Sequence, residues 1–231
     1  FKKYISRFVL VIFTFGTLYC FMELLFSDRN ITLGKFLLAV KNTLTGKSWD
    51  HMWYVYMVIG LYLLLPPMKI FVNNVSDKLL YFTLGILFLF SSIIPYLQQF
   101  MDLNLQFPCV SIYLFYLLFG YVIHYKNFCL KKIFAVIILI SYCVYISLIQ
   151  FNSFFLIENN AFLRTLGYES PIVVFVAFAI FSLCKNIKNE SRIITFMAPL
   201  TFGIYIMHPF FINFCYKVFH ITIENYSLII S

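Results

Sequence analysis

Two histidines in this sequence stand where an imidazole could take or give up a proton away from bulk water. His208 lies well inside an apolar run, in Thr201-Phe-Gly-Ile-Tyr205-Ile-Met-His208-Pro209. At about 100° per residue, Thr201, Tyr205 and His208 share one helix face. Pro209 has no N–H to donate and its ring presses on the carbonyl of Tyr205, so a helix here should kink or loosen. A His beside such a freed carbonyl either lines a cavity or holds a structural hydrogen bond between helices. His51 opens another apolar run, after Asp50 and before Met52-Trp53-Tyr54-Val55-Tyr56. On a helix His51, Tyr54, Val58 and Tyr62 fall on one face, a stripe of polar groups on an otherwise apolar rod. That stripe suits either an interfacial anchor or the wall of a site that binds or moves protons.

Two charged residues complete the set. Glu23 lies behind Tyr19 and Cys20 near the far end of the first apolar run, and a carboxylate at headgroup level is its simplest account. Arg164 is the basic residue of its link, near Glu158 and Glu169, where it could hold an anionic or sugar substrate or form a surface ion pair. His124 and His220 fall in links, as solvated histidines do. No Walker A motif, HExxH, G-x-S-x-G or glycine-rich dinucleotide fingerprint occurs.

The elements that must position these groups follow from composition. Of 231 residues 62% are hydrophobic and 11% charged, whereas soluble domains carry roughly 25% charged residues. A water-soluble globule of this composition would lack a polar coat. Seven apolar runs approach the ~20 residues that cross a bilayer as a helix. They are Phe8–Phe26, Trp53–Phe71, Leu79–Leu97, Phe107–Ile123, Ile133–Ile149, Pro171–Cys184 and Ile193–Phe214. The second is expected to break at Pro66-Pro67. None alternates apolar with polar residues as barrel strands must. The fold class is therefore all-α: a polytopic transmembrane helical bundle, one membrane domain over residues 1–231. An eighth run starts near Tyr226, and the chain opens on Phe1 without a Met. Both ends lead to the expectation of an internal piece of a longer protein, with seven complete spans and a truncated eighth.

Charge alternates from link to link. Eleven of the 17 basic residues lie before the first run or after the second, fourth and sixth. The excess of Lys and Arg marks the cytoplasmic side, which puts residues 1–7 and 127–132 inside and the Asp50 entrance outside. In a membrane protein the net charge of +8 is this bias and no sign of nucleic acid. The six cysteines are scattered without C-x-x-C spacing and lie mostly in apolar runs, so neither a disulfide framework nor a metal site follows. In the long outer link, Leu33, Phe36, Leu37, Val40 and Leu44 recur at helical spacing with Lys35 and Lys41 off that stripe. This predicts an amphipathic helix on the membrane surface, in contact with lipid.

Three stretches carry a resemblance. His51-Met-Trp-Tyr-Val-Tyr-Met-Val-Ile-Gly-Leu-Tyr-Leu-Leu-Leu-Pro66 resembles the "hlWYlyaliGLYLllP" segment of acyltransferase family 3, the integral-membrane acyltransferases of which many O-acetylate bacterial surface glycans. Thr201-Phe-Gly-Ile-Tyr-Ile-Met-His208 is similar to that family's late "s-fgiYliH" segment, and Phe1-Lys-Lys-Tyr-Ile-Ser-Arg7 to the basic lead-in of its third span. The likeness runs in order over almost the whole chain. It implies a multi-pass protein of the bacterial plasma membrane that takes an acyl group, expected to be acetyl, from cytoplasmic acetyl-CoA. The implied acceptor is a hydroxyl of a surface polysaccharide or related glycan, and no metal is implied.

The family's hallmark, a basic residue and a His about eleven positions apart in its first span, has no counterpart in these residues. The resemblance therefore places the principal catalytic His outside them and implies that residues 1–231 alone are inactive. Within the chain, His208 and His51 are the catalytic candidates. Tyr54, Tyr62, Tyr205, Glu23 and Arg164 are the substrate-binding ones. The rival reading is a transporter or lipid-linked glycan export protein, in which the same stripe lines a pathway. It gains no support from internal repeats, since none is visible.

Overall fold

The computed structural model describes residues 2–27, 30–101, 111–155, 167–185, 187 and 191–219. Among them every regular element is a helix and no strand occurs. In chain order these are α1 (Lys3–Phe26), α2 (Leu33–Leu44), α3 (Trp53–Asn74), α4 (Asp77–Leu97), α5 (Ile112–Tyr125), α6 (Lys132–Phe155), α7 (Pro171–Lys185), α8 (Arg192–Met197) and α9 (Leu200–Phe219). Among the described residues the seven apolar runs are helical, the seventh in two pieces. Four of these are long and apolar enough to cross a membrane: α1, α3, α4 and the Lys132–Ile149 part of α6. Shorter apolar helices occupy Ile112–Tyr125, Pro171–Lys185 and Leu200–Tyr216. The run begun at Tyr226 and the start of the fourth run lie outside the described residues, as do Arg164, His220 and Cys109.

Local chemistry sets the helix starts. Thr32, Ser76 and Ser111 are extended residues whose hydroxyls accept from the backbone N–H of Lys35, Leu79 and Tyr113, at 3.4, 3.4 and 3.3 Å. Each supplies an acceptor to a turn whose amides have none within the helix. The expected break at Pro66-Pro67 does not occur, because α3 runs through both prolines to Asn74. Two prolines deny donors to the carbonyls of Tyr62 and Leu63, yet φ near −65° still suits a helix. Membrane helices tolerate this where the freed groups are served locally. The seventh run does break, at the turn Ala198-Pro199 between α8 and α9.

The chain divides into two compact units, residues 1–66 with 190–231 and residues 67–189. The boundary thus falls at the two prolines, within a continuous helix. In the first unit Ile12, Tyr19, Met52, Val55 and Ile206 form the core, drawn from α1, the start of α3 and α9. In the second, Leu80, Leu84 and Leu87 of α4 meet Ile112, Phe115, Leu118 and Val122 of α5 and Val174 of α7. On α6 the exposed residues Ile133, Ile137, Ile140, Val144 and Leu148 form an outward apolar stripe. Its opposite side buries Ala135 and Ile149. That is the reverse of a soluble helix, and it is what a hydrocarbon surround selects.

The link helix forms as α2, but its packed face differs from the apolar stripe. Ala39 and Thr43, one turn apart, are fully buried, while Leu33, Leu37 and Leu44 are exposed. Small residues allow close approach: a Cβ on Gly16 of α1 would lie 3.1 Å from Thr43 Cγ2. Most of the stripe is left exposed.

Candidate functional site

The site belongs to the first unit and is best built from Pro209 outward. Pro209 sits inside α9 and leaves the Tyr205 carbonyl without its helical donor. His208 supplies one: its Nδ1 is 2.7 Å from that oxygen. A carbonyl only accepts, so Nδ1 carries the proton in the neutral ring and Nε2 keeps the lone pair. The next carbonyl, of Ile206, accepts a second bond at 2.9 Å from the hydroxyl of Tyr19 on α1. The Pro209 carbonyl accepts from Asn213 Nδ2, also at 2.9 Å. Three side chains therefore serve the carbonyls of one interrupted stretch.

His51, in the short 3₁₀ turn Asp50–Met52, is the hub of an aromatic cluster. Its ring meets those of Tyr19, Trp49, Tyr205 and His208 at centroid distances of 5.6, 6.0, 6.0 and 5.9 Å, all near edge-to-face. Such geometry suits ring quadrupoles. The Tyr205 hydroxyl donates to the His51 backbone carbonyl, which ties α9 to the entrance of α3. Trp49 stacks on Tyr19 with centroids 4.6 Å apart and planes 6° from parallel.

Two features bring Tyr19 to this place. A π turn at Ile12–Gly16 interrupts α1, and its extra residue resets the face that the following turns present. The segment from α2 to α3 is then fastened beside it. Tyr56 donates to the Thr43 carbonyl at 2.6 Å and lies 3.2 Å from the Ser48 hydroxyl. Cys20 Sγ reaches the Lys47 carbonyl at 3.6 Å, and Thr43 donates to the Ala39 carbonyl at 2.9 Å.

A cavity of about 1180 Å³ opens on this cluster. Met22, Glu23 and Phe26 of α1 form one wall, and Gly46, Lys47, Ser48, Trp49 and His51 a second. His208, Pro209, Phe210, Asn213 and Phe214 of α9 form the third. Two imidazoles, one carboxylate and one ammonium thus face a space that also offers aromatic surface. Such a lining can accept a proton from a hydroxyl, hydrogen-bond several more and stack against an apolar ring face.

Of the residues singled out by sequence, His51, His208 and Glu23 line this cavity. Tyr205 meets the rings of His51 and His208 without lining the cavity, and the exposed Tyr54 packs on Tyr205 with rings 5.1 Å apart. Tyr62 is placed elsewhere: it packs on Tyr4 and Phe8, with centroids 6.2 and 5.5 Å apart. Eleven residues at ~1.5 Å each separate it from His51 along the helix, so a shared face does not mean a shared site. Sequence reasoning missed Trp49, Lys47, Asn213 and the part played by Tyr19. Asn213 lies four residues after Pro209, the spacing at which a side-chain amide reaches back to that carbonyl, and this was the available signal. Nothing in the sequence pointed to Lys47.

A model of acyltransferase family 3, described as an acyltransferase domain, matches residues 1–230. The chain belongs to that family. With its apolar helices it is a membrane protein carrying an acyltransferase domain. No curated protein and no solved structure matches the chain.

Proposed function

We propose that the protein transfers an acyl group, acetyl in the first instance, from cytoplasmic acyl-CoA to a hydroxyl of a cell-surface polysaccharide or related glycan, in the bacterial plasma membrane. The observation that carries this reading is the His208 ring. One nitrogen is fixed on the carbonyl freed by Pro209, and the ring lines the cavity with a lone pair left on the other. Nε2 hydrogen-bonds the acceptor hydroxyl and can take its proton as the oxygen forms the new C–O bond to the thioester carbonyl carbon, beside the principal catalytic His that the resemblance implies outside these residues. The C–S bond breaks, and the thiolate of coenzyme A takes up a proton.

The cavity suits a glycan by size and by lining. It exceeds the roughly 300–1,000 Å³ of sites for drug-sized ligands, and Trp49 offers an apolar face beside Glu23, Lys47 and Asn213. It lies at the end of α1 remote from Lys3 and Arg7. By the positive-inside rule that end faces outward, where a surface glycan is found.

The test is acetyl release from purified surface glycan, in a strain lacking the native enzyme and expressing the full-length protein. His208→Ala at matched protein level is expected to lower acetylation by about 10²–10⁴-fold, the typical loss for a proton-transfer group. His124→Ala, an exposed residue at the end of α5, is expected to leave it unchanged. Equal activity of the two variants would overturn the role of His208.

A further inference from the structure

We propose that Tyr19 is a positioning residue of the acyl-transfer site, acting through His208; the inference rests on the reading of His208 given above. Its ring is 1% exposed, so its hydroxyl must find a partner within the protein or remain a buried polar group without one. The partner is the Ile206 carbonyl at 2.9 Å, on a helix 187 residues away in sequence.

That carbonyl is a particular one. Pro209 has no N–H for the Tyr205 carbonyl and bears on it, and the very next carbonyl, of Ile206, is the one that takes a donor from another helix. With Tyr19 bonded to Ile206 and His208 bonded to Tyr205, consecutive carbonyls are held from two directions. The interrupted turn then has a single arrangement. Without the hydroxyl, residues 205–209 can relax towards other ways of serving their carbonyls. The Nδ1 contact of His208 is the bond placed to change.

Tyr19 is itself held in place. Trp49 covers one of its faces at 4.6 Å, and His51 stands edge-on at 5.6 Å. The Met207 sulfur lies 3.6 Å from the hydroxyl. The ring is therefore fixed, and its hydroxyl has the Ile206 oxygen as its strong acceptor, with the Met207 sulfur a weak one beside it. Tyr19 does not line the cavity, so it works by orientation and not by contact with substrate.

The test uses Tyr19→Phe, which keeps the stacked ring and removes one oxygen. In the full-length protein in membranes, the acyl-transfer rate constant at saturating acceptor should fall about 10- to 100-fold, the scale set by small misplacements of a reacting group. KM for the acceptor should stay near its wild-type value. In protein labelled with ¹⁵N-histidine, the His208 ring should show the single Nδ1–H tautomer in the wild type and a mixture in Tyr19→Phe. In a His208→Ala background, Tyr19→Phe should cause no further loss. A wild-type rate constant for Tyr19→Phe, an unchanged His208 tautomer, or a full additional loss in the double variant would each overturn the proposal. A His208→Ala variant as active as wild type would remove the reading beneath it and be recognised separately.

Discussion

The Nδ1 of His208 lies 2.7 Å from the carbonyl oxygen of Tyr205, the acceptor that Pro209 deprives of its helical donor. The proline and the histidine are one device, and Pro209→Ala separates them. Alanine restores an N–H that competes with the imidazole for the same oxygen. It also removes a residue costing up to about 3 kcal/mol in a helix interior. Thermal stability should therefore rise or hold while acyl transfer falls at least about tenfold, a misalignment effect. Melting curves and glycan acetylation on the same preparation check this, and a parallel loss of both would contradict it.

Gly16 of α1 packs against Thr43 of α2 with little room to spare. Gly16→Ala brings a Cβ to 3.1 Å from Thr43 Cγ2 and 3.6 Å from Met52 Cε. Thr43 and Met52 are both fully buried, so neither yields easily. The cost should be about 1–3 kcal/mol, as for other overpacked cores. Thr43→Ser removes the opposing methyl and keeps the hydroxyl bonded to Ala39, so it should recover most of the loss in the double variant. Chemical unfolding in a fixed detergent reads both.

Lys185 closes the end of α5. Its ammonium group reaches the carbonyls of Ile123 at 2.6 Å and His124 at 3.1 Å and the Asn127 side-chain oxygen at 2.7 Å. These acceptors match its three protons. Lys185→Met removes three charge-assisted bonds and should destabilise the second unit by about 1–3 kcal/mol.

The nearby Lys126–Asp77 pair, 2.6 Å apart, is exposed and should matter much less. Hydrogen bonding to Asp77 raises the pKa of Lys126 above the usual lysine value. Its contribution is therefore complete below that usual value and is lost as pH rises through the raised one. The small melting difference between wild type and Lys126→Gln should be flat at neutral pH and shrink in strong alkali.

Membrane orientation has its own test. Lys41 on α2 and Lys131 before α6 are both exposed, so a thiol at either is reachable from its own side. In a background without the six native cysteines, an impermeant reagent on intact cells should label Cys at 41 and spare Cys at 131. The opposite pattern would invert the orientation.

Much of this architecture was legible in the chain. The runs became helices because hydrocarbon leaves the backbone no alternative to internal hydrogen bonds. Their ends were less legible. Helix α1 starts several residues before Phe8, since lysine and arginine continue a helix well while lowering the apolar signal. The two prolines of α3 were misread because a missing donor weakens a ladder without setting its end. At the site, Pro209 and His208 declared themselves through adjacency. Tyr19 and Ile206 could not, since their contact spans almost the whole sequence and depends on a π turn that no residue pattern announces. The packing face of α2 was hidden too: Ala39 and Thr43 are inconspicuous beside five large apolar residues.

The outward stripe of α6 makes the surrounding liquid a component of the folded state. Ile133, Ile137, Ile140, Val144 and Leu148 spend their apolar area on whatever coats them, not on the protein's own interior. An amphiphile with tails shorter than the hydrocarbon thickness must deform or leave part of that stripe wet. Melting temperatures of this protein should accordingly track tail length, with their maximum where the coat matches the bilayer.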